Sequence, residues 1–271
     1  MEKITGSIVL FKNNRIQLLD AIDSFLETDL KVKLFLVDNS PTDDLKNIKI
    51  NPQVEYLFNP SNPGFGSSHN TAIQKAIDLG SDYHFIVNPD VYFDEEIISP
   101  MINYIQQNKD VGMMMPQILN TDGTVQNLPK LLPSPLSILL RKIKLPKWYY
   151  EKFINKYELR FVNKNKTFNS PILSGCFTLL NLKAIKEIGM YDDSFFMYFE
   201  DWDLSRRIHE KYKTIYFPEV SVYHEYDSGA NKSSKLFKIF IKSLIIYFNK
   251  WGWLLDKDRK KINIETLSQF K

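Results

Sequence analysis

Four short apolar runs alternate with helix-patterned stretches across the first ninety residues, and this alternation leaves the chain few architectures. The runs lie at 4–11, 32–37, 54–58 and 83–87, nearly continuous in Ile, Val, Leu and Phe, as strands buried on both faces are. Between the first two, Asn13 or Asn14 can cap a helix whose apolar positions Ile16, Leu19, Ile22, Phe25 and Leu26 keep helical spacing. A second helix is expected over about 67–79. Strand–helix alternation of this kind predicts an α/β fold with a mostly parallel, doubly wound central sheet flanked by helices. In such sheets ligands bind beyond the carboxyl ends of the strands. Asp38-Asn39-Ser40-Pro41, the loop 59–66 and Asn88-Pro89-Asp90 all fall there.

Further along, a helix is expected near 95–107 and a strand over 111–115. Asn120-Thr121-Asp122-Gly123 reads as a hairpin turn between 117–119 and 124–126. From 128 to 170 the pattern dissolves into Pro, Lys and large apolar residues, a composition that suits a mobile lid or a membrane-facing segment. A strand over 171–181, a short helix over 182–188 ended by Gly189, and short strands at 214–217 and 221–224 follow. The last expected element is a helix over 233–248, with Lys235, Lys238, Lys242 and, just beyond it, Lys250 set among Leu, Ile, Phe and Tyr.

Composition narrows the function. A net charge of +3 on 271 residues is too small to argue for nucleic acid. The one cysteine, Cys176, excludes an internal disulfide and any multi-cysteine metal site, and its apolar neighbours make it a small buried residue. No run of eighteen apolar residues spans a membrane, and the N-terminus lacks the form of a signal peptide, so a cytoplasmic protein is expected. His69, His84 and His209 are read as polar surface residues.

The stretch 195–212, FFMYFEDWDLSRRIHEKY, carries the strongest chemical signal. Glu200, Asp201 and Asp203 open a helix, where acids complement the positive end of the helix dipole. They also follow a wall of aromatic residues, where desolvation raises a carboxyl pKa and makes a better base. Asp203 and Arg207 form an i,i+4 pair. Asp201 has no such partner and is the candidate base. Asn62-Pro63-Gly64-Phe65-Gly66 with Asn70 could cradle a phosphate at a helix N-terminus or be an ordinary strand–helix turn; its spacing is neither the P-loop nor the dinucleotide fingerprint. Asn88 and Asp90 could hold a hard divalent cation, with His224 converging on it, or form an Asx turn.

These pieces, in this order, resemble the family 2 glycosyltransferases of GT-A fold, in the rhamnosyltransferase-like branch. The likeness rests on Val37-Asp38-Asn39 with Asp43, Asn62-x-Gly64-Phe65 with Asn70, Asn88-Pro89-Asp90, Ser174-Gly175, and the run from Phe196 through Asp203 to Arg207, and it covers about 4–251. The resemblance implies that Asp38 hydrogen-bonds the nucleotide base and Asn62 lines the nucleotide pocket. Asn39, Gly64, Phe65, Asn70, Asn88 and Arg207 complete the nucleotide-sugar set. Asp90 would ligate Mg2+ or Mn2+ on the diphosphate, with His224 on or near the metal. Asp201 would be the general base, Glu200 and Asp203 would shape the acceptor site, and Arg207 would orient Asp203. Three positions depart from the family pattern. Asn88 stands where the first Asp of Asp-x-Asp is usual, Pro41 replaces a Ser or Thr, and His224-Glu225-Tyr226-Asp227-Ser228-Gly229 replaces His-x-x-Gly-x-Ser.

The implied activity is inverting transfer of a sugar, L-rhamnose from dTDP-rhamnose, to a hydroxyl of a surface polysaccharide or lipid-linked glycan. A UDP-hexose or UDP-galactofuranose donor, or a non-catalytic nucleotide-sugar-binding module, is the alternative. The implied organisation is a transferase domain over 1–230 and a helical extension over 231–271. The domain divides into a nucleotide-sugar half over 1–127, a lid or insert over 128–170 and an acceptor half over 171–230. Lysines interleaved with aromatics make 233–254 either a peripheral contact with the inner face of the cell membrane or a helix packed on the core with its lysines reaching outward.

Overall fold

The computed structural model describes residues 3–225 and 233–271. Its first half follows the alternation except over 39–53, where turns rather than a helix join the second and third strands. β1 (Ile4–Leu10), β2 (Val32–Asp38), β3 (Val54–Phe58) and β4 (Tyr83–Val87) pair in parallel in the order β3-β2-β1-β4. Asn14 caps α1 (Arg15–Leu26) by accepting from Ile16 N and Gln17 N, satisfying amides a helix start leaves open. α1 lies so close to β1 that a Cβ at Gly6 would sit 2.5 Å from the Phe25 ring. α2 (Phe65–Asp78) returns the chain from β3 to β4.

The second half alternates in direction. β5 (Val91–Tyr92), α3 (Ile98–Gln107) and β6 (Val111–Leu119) lead into a segment with α4 (Pro135–Ile143), α5 (Lys147–Tyr157) and β7 (Phe168–Asn169). β8 (Phe177–Asn181), α6 (Leu182–Ile188), α7 (Glu200–His209) and β9 (Lys213–His224) follow, then α8 (Ser234–Trp251) and α9 (Arg259–Ser268). β8 is inserted antiparallel between β4 and β6, and β6 pairs in parallel with β9. β1, β2, β3, β4, β6 and β9 therefore run one way and β5, β7 and β8 the other, a mostly parallel sheet.

Several expectations need correction. The two short strands at 214–217 and 221–224 are one strand, β9; opposite it, Pro116 pairs with Phe217 and Gln117 with Ser221, so 218–220 bulge out. Pro218 sits in that bulge, where its missing N–H costs no ladder bond. The patternless 128–170 contains two helices. Pro135 occupies the first turn of α4, where proline is tolerated, and Ser134 and Ser137 form a reciprocal cap. Leu131, Leu132, Ile154, Tyr157 and Leu159 are buried. The strand expected at 171–181 begins only at Phe177, and the residues before it form a loop.

His69 and His84 are fully buried rather than on the surface. Ser7 Oγ bridges His69 Nδ1 at 2.7 Å and His84 Nε2 at 2.8 Å, and Thr5 Oγ1 meets His84 Nδ1 at 2.8 Å. Burial pulls His84 down to about 3 and His69 well below its usual value, so both are neutral core residues. His209 is half-buried, bonded to Thr214 Oγ1.

The C-terminal helices are built into the fold. Arg206, 1% exposed, makes a two-pronged pair with Asp256 at 2.7 Å for both bonds, and its guanidinium lies 4.0 Å from the Trp251 ring centroid. α9 is fastened by Asn263, which exchanges two bonds with the Leu132 backbone, and by Gln269, which does the same with Asn169.

Candidate active site

Backbone pairing explains why distant residues meet. β5 and β9 are antiparallel with Val91 opposite His224, which carries Asp90 to the histidine. His224 Nε2 lies 3.5 Å from Asp90 Oδ1, an oxygen that is buried without a hydrogen bond. Gln126 sets the ring: its amide donates to the His224 carbonyl at 3.0 Å and its Oε1 faces Nδ1 at 3.2 Å. The Gln126 contact turns Nε2 toward the Asp90 carboxylate. An imidazole nitrogen beside a carboxylate oxygen is a donor set that can take a cation, and the Gln126–His224 bond is the support a metal-ligating histidine usually has. Among the described residues no group of three or more His, Cys, Asp or Glu side chains is arranged to hold a metal, so substrate oxygens and water would complete the shell.

The loop before β8 joins this corner to the acidic helix. Cys176 O accepts from Asn88 N at 2.8 Å, and Gly175 N donates to Asp201 Oδ2 at 3.1 Å. The buried Cys176 thiol is pushed up to about 12 chiefly by burial, and the charges of both Asp90 and Asp201 add to the shift. The shared tie is the loop backbone, whose Gly175 N–H and Cys176 carbonyl hold Asp201 and the strand end bearing Asp90. A Cβ at Gly175 would lie 3.2 Å from the Asp201 Cβ, a tight contact that glycine avoids.

Asp201 and Glu200 differ in what surrounds them. Asp201 is half-buried; burial raises its carboxyl, while N–H donation from Gly175 and Trp202 and the charge of Lys130 hold the rise back. Glu200 is buried, and its Oε2 has no hydrogen bond. Burial and then the neighbouring Asp201 charge push it well above the usual carboxylate range. Of the two, Glu200 is pushed further toward its protonated form, and Asp201 is the better placed to carry charge. Since Glu200 is raised above its unfolded value, its stabilising protonation is complete at low pH and costs more as pH rises. Glu200→Gln is expected to melt within about 1 °C of the native protein near pH 4.5 and several degrees higher at pH 8. A lower melting temperature at both pH values would mean that Glu200 is ionised.

The chain enters this helix under strain. Tyr198 and Phe199 have φ of +71° and +69°, left-handed at two successive aromatic residues, a cost of roughly 1–3 kcal/mol each. α8 holds them in place. Ser243 Oγ donates to Met197 O, and Phe199 packs with Phe240, Tyr247 and Trp202. Phe195 and Phe199 are thus filled from behind, which leaves only Phe196, Met197 and Tyr198 of the aromatic wall half-exposed. Gly64 meets the same wall. Its φ is +110°, a Cβ there would lie 2.2 Å from Phe196 O, and Phe65 N donates to that oxygen at 2.8 Å.

Other residues that the sequence singles out have structural partners. Asp38 is fully buried, with Oδ1 accepting from Ser40 N and Oδ2 from the Tyr56 hydroxyl at 2.6 Å. Asn39 donates to Ser68 Oγ and keeps a buried Oδ1 without a partner. Asn62 turns the loop with φ +46°. Asn70 exchanges bonds with the Tyr191 backbone and donates to Asp193, bracing the turn before the aromatic wall. Asp203, 0% exposed, accepts from Arg207, Lys250 and Trp251, and Arg207 spends its remaining N–H groups on the carbonyls of Ile188, Gly189 and Met190. The expected Asp203–Arg207 pair is present, with Asp203 buried and Arg207 half-buried. Tyr226, Asp227, Ser228 and Gly229 lie outside the described residues.

Three contributors are absent from the sequence reading: Gln126 behind His224, Tyr56 over Asp38, and Lys130. Lys130 is 6% exposed, bonded to the Asn127 and Leu128 carbonyls and pulled down to about 8 by burial.

The chain is similar in family and fold to known proteins. The model for glycosyl transferase family 2 matches residues 7–189, which ends just before the acidic helix. An N-acetylglucosaminyl-diphospho-decaprenol L-rhamnosyltransferase of Mycobacterium tuberculosis is 26% identical over 226 residues, covering 78% of this chain and 73% of that protein. The low-salt glycan biosynthesis hexosyltransferase Agl10 of Haloferax volcanii is 25% identical over 173 residues, covering 64% of this chain and 52% of its own length. Among solved structures, GalNAc-T7 with UDP, GalNAc and Mn2+ superposes with a TM-score of 0.66 at 17% identity, covering 95% of this chain and 49% of that one. TarS of S. aureus gives 0.58 at 13% identity, covering 98% and 43%. This chain spans about half the length of those two solved chains, and the likeness to them is one of fold, the GT-A arrangement.

Proposed function

The chain belongs to glycosyl transferase family 2, and from that membership we propose that it transfers L-rhamnose from dTDP-rhamnose, with inversion, to a hydroxyl of a lipid-linked glycan. The observation that carries the reading is that one loop, Gly175-Cys176, ties together two carboxylates. Asp90 has an orphaned oxygen facing His224, and Asp201 is oriented by N–H donors beside the buried Glu200. The M. tuberculosis relative is named for rhamnose and a diphospho-decaprenol acceptor, which favours this donor and acceptor class over a UDP-hexose.

The residues divide the work. Asn39, Asn62 and Gly64 line the strand ends where a nucleotide would lie, and contact between its base and Asp38 requires the Tyr56 hydroxyl to release the carboxylate. Asp90 and His224 would hold Mg2+ or Mn2+, which when bound offsets the charge of the departing diphosphate. Asp201 accepts the proton of the acceptor hydroxyl, and the Gly175 and Trp202 N–H groups fix its orientation. Attack on the sugar face opposite the leaving diphosphate inverts the anomeric carbon. Glu200 stays protonated, so the base is not repelled by a second charge.

Two experiments bear on this reading. Screening dTDP- and UDP-sugars for acceptor-dependent nucleotide release tests the donor, with dTDP-rhamnose expected to give the highest rate. Dialysis against EDTA is expected to lower turnover about a hundredfold or more, with recovery on adding Mn2+ or Mg2+. Unchanged turnover after EDTA would remove the metal from the mechanism.

A further inference from the structure

We infer that α4 and α8 together form a docking face for an anionic lipid surface, beside the wall that positions the acceptor. The inference takes the lipid-linked acceptor from the reading above and adds how the enzyme meets it. Among the described residues, twelve of the nineteen exposed large apolar side chains lie in 134–150 and 233–255, forty residues of the 271. Neither segment contains a single Asp or Glu, and together they hold eight Lys or Arg.

The two segments form one surface. Lys142 near the end of α4 lies over the Phe237 and Phe240 rings of α8, at 5.8 and 4.8 Å from their centroids. Ile138 of α4 joins Tyr247 and Phe248 of α8 in one buried cluster with Phe195 and Phe199. With those inner faces committed, each helix turns a stripe outward: Leu136, Leu139 and Ile143 on α4, and Phe237, Ile241 and Ile245 on α8, all exposed. Trp148, 70% exposed, and Leu254 and Leu255, 84% and 91% exposed, extend the apolar surface at its ends.

The charge pattern selects the occupant. Arg141 and Lys250 are paired with acids elsewhere in the protein, but Lys144, Lys235, Lys238 and Lys242 stand exposed around the apolar stripes. Apolar stripes bordered by cations and free of carboxylates fit an interface of acyl chains and anionic headgroups. A second copy of this chain would instead bring like charges together across the contact. No described helix is long and apolar enough to cross a bilayer, so the contact is with one leaflet. The inner side of α8 holds Met197 and Phe199, two residues from Asp201 at the nearest, so the lipid surface would lie about one helix diameter, roughly 10 Å, from the acceptor wall. A sugar carried on a lipid diphosphate is presented at that depth.

Co-sedimentation with vesicles of phosphatidylglycerol and phosphatidylcholine (1:1), and with phosphatidylcholine alone, tests the inference. The native protein is expected to sediment with the anionic vesicles and to be released as salt rises. The exposed double variant Leu139→Glu/Ile241→Glu should bind them at least about tenfold more weakly. With a short water-soluble acceptor its transfer rate should equal that of the native protein, because neither residue touches the site. Transfer to a vesicle-borne acceptor should fall. Equal sedimentation of native and variant protein, absence of binding to anionic vesicles, or a dimer in analytical ultracentrifugation that the double variant abolishes would each overturn the inference. Loss of soluble-acceptor transfer in the native protein would instead count against the transferase reading.

Discussion

Asp201→Asn is expected to lower kcat by about 10³-fold while donor affinity stays within a factor of about three. The substitution preserves size and still accepts the Gly175 N–H that orients the side chain. It removes the capacity to take a proton and, with one oxygen replaced by NH2, the second N–H bond, from Trp202. The loss should appear in kcat with a soluble acceptor and be absent from donor binding by calorimetry, which separates a lost base from a lost pocket. Because burial raises the Asp201 carboxyl, the acid limb of the native kcat profile should lie above the pH at which an ordinary aspartate titrates, with activity rising as pH increases through it. Near-normal turnover by the Asn variant would move the base elsewhere.

Arg206→Met is expected to destabilise the protein by about 3–5 kcal/mol, lowering its melting temperature by roughly 10 °C. Arg206 and Asp256 are each about 2% exposed at the side chain, so removing one partner leaves an uncompensated charge in the interior. The double variant Arg206→Met/Asp256→Leu should recover most of the loss, since a buried pair replaced by apolar groups is close to neutral. Activity should suffer before global unfolding. Asp256 fastens the end of α8, whose Lys250 and Trp251 hold Asp203 and whose Ser243 holds the strained turn before Asp201. A Met variant that melts like the native protein would mean that the C-terminal helices are anchored by apolar packing alone.

What could be read from residues alone was set by how local the cause is. Strands buried on both faces announce themselves as apolar runs, so β1 to β4 lie within a residue of their expected positions. The Asp203–Arg207 pair is an i,i+4 relation that the helix dictates. α4 and α5 were hidden because Pro135 and Pro146 read as breakers, although they stand at helix starts where proline costs nothing. α9 was hidden because its residues, RKKINIETLS, carry little apolar periodicity and are held by Asn263 and Gln269 rather than by a core stripe. Gln126 is 98 residues from His224, and the β6–β9 pairing and the turn after β6 bring them together. The same holds for Asp38: its position at a strand end was legible, but not the Tyr56 hydroxyl that covers it. The spacing of Glu200 and Asp201 gives no sign that their carboxyls differ, because Asp201 accepts N–H bonds from Gly175 and Trp202 while Glu200 is buried with an unpaired oxygen.

The central claim is single-step sugar transfer with Asp201 as base and no enzyme nucleophile. The most direct measurement is the anomeric configuration of the first-formed product, followed by proton NMR as donor and acceptor react on the native protein. The account predicts a product of configuration opposite to the donor's from the earliest time point, with nucleoside diphosphate released in equal amount. A product that keeps the donor's configuration, or a glycosyl group trapped on the protein, would contradict it.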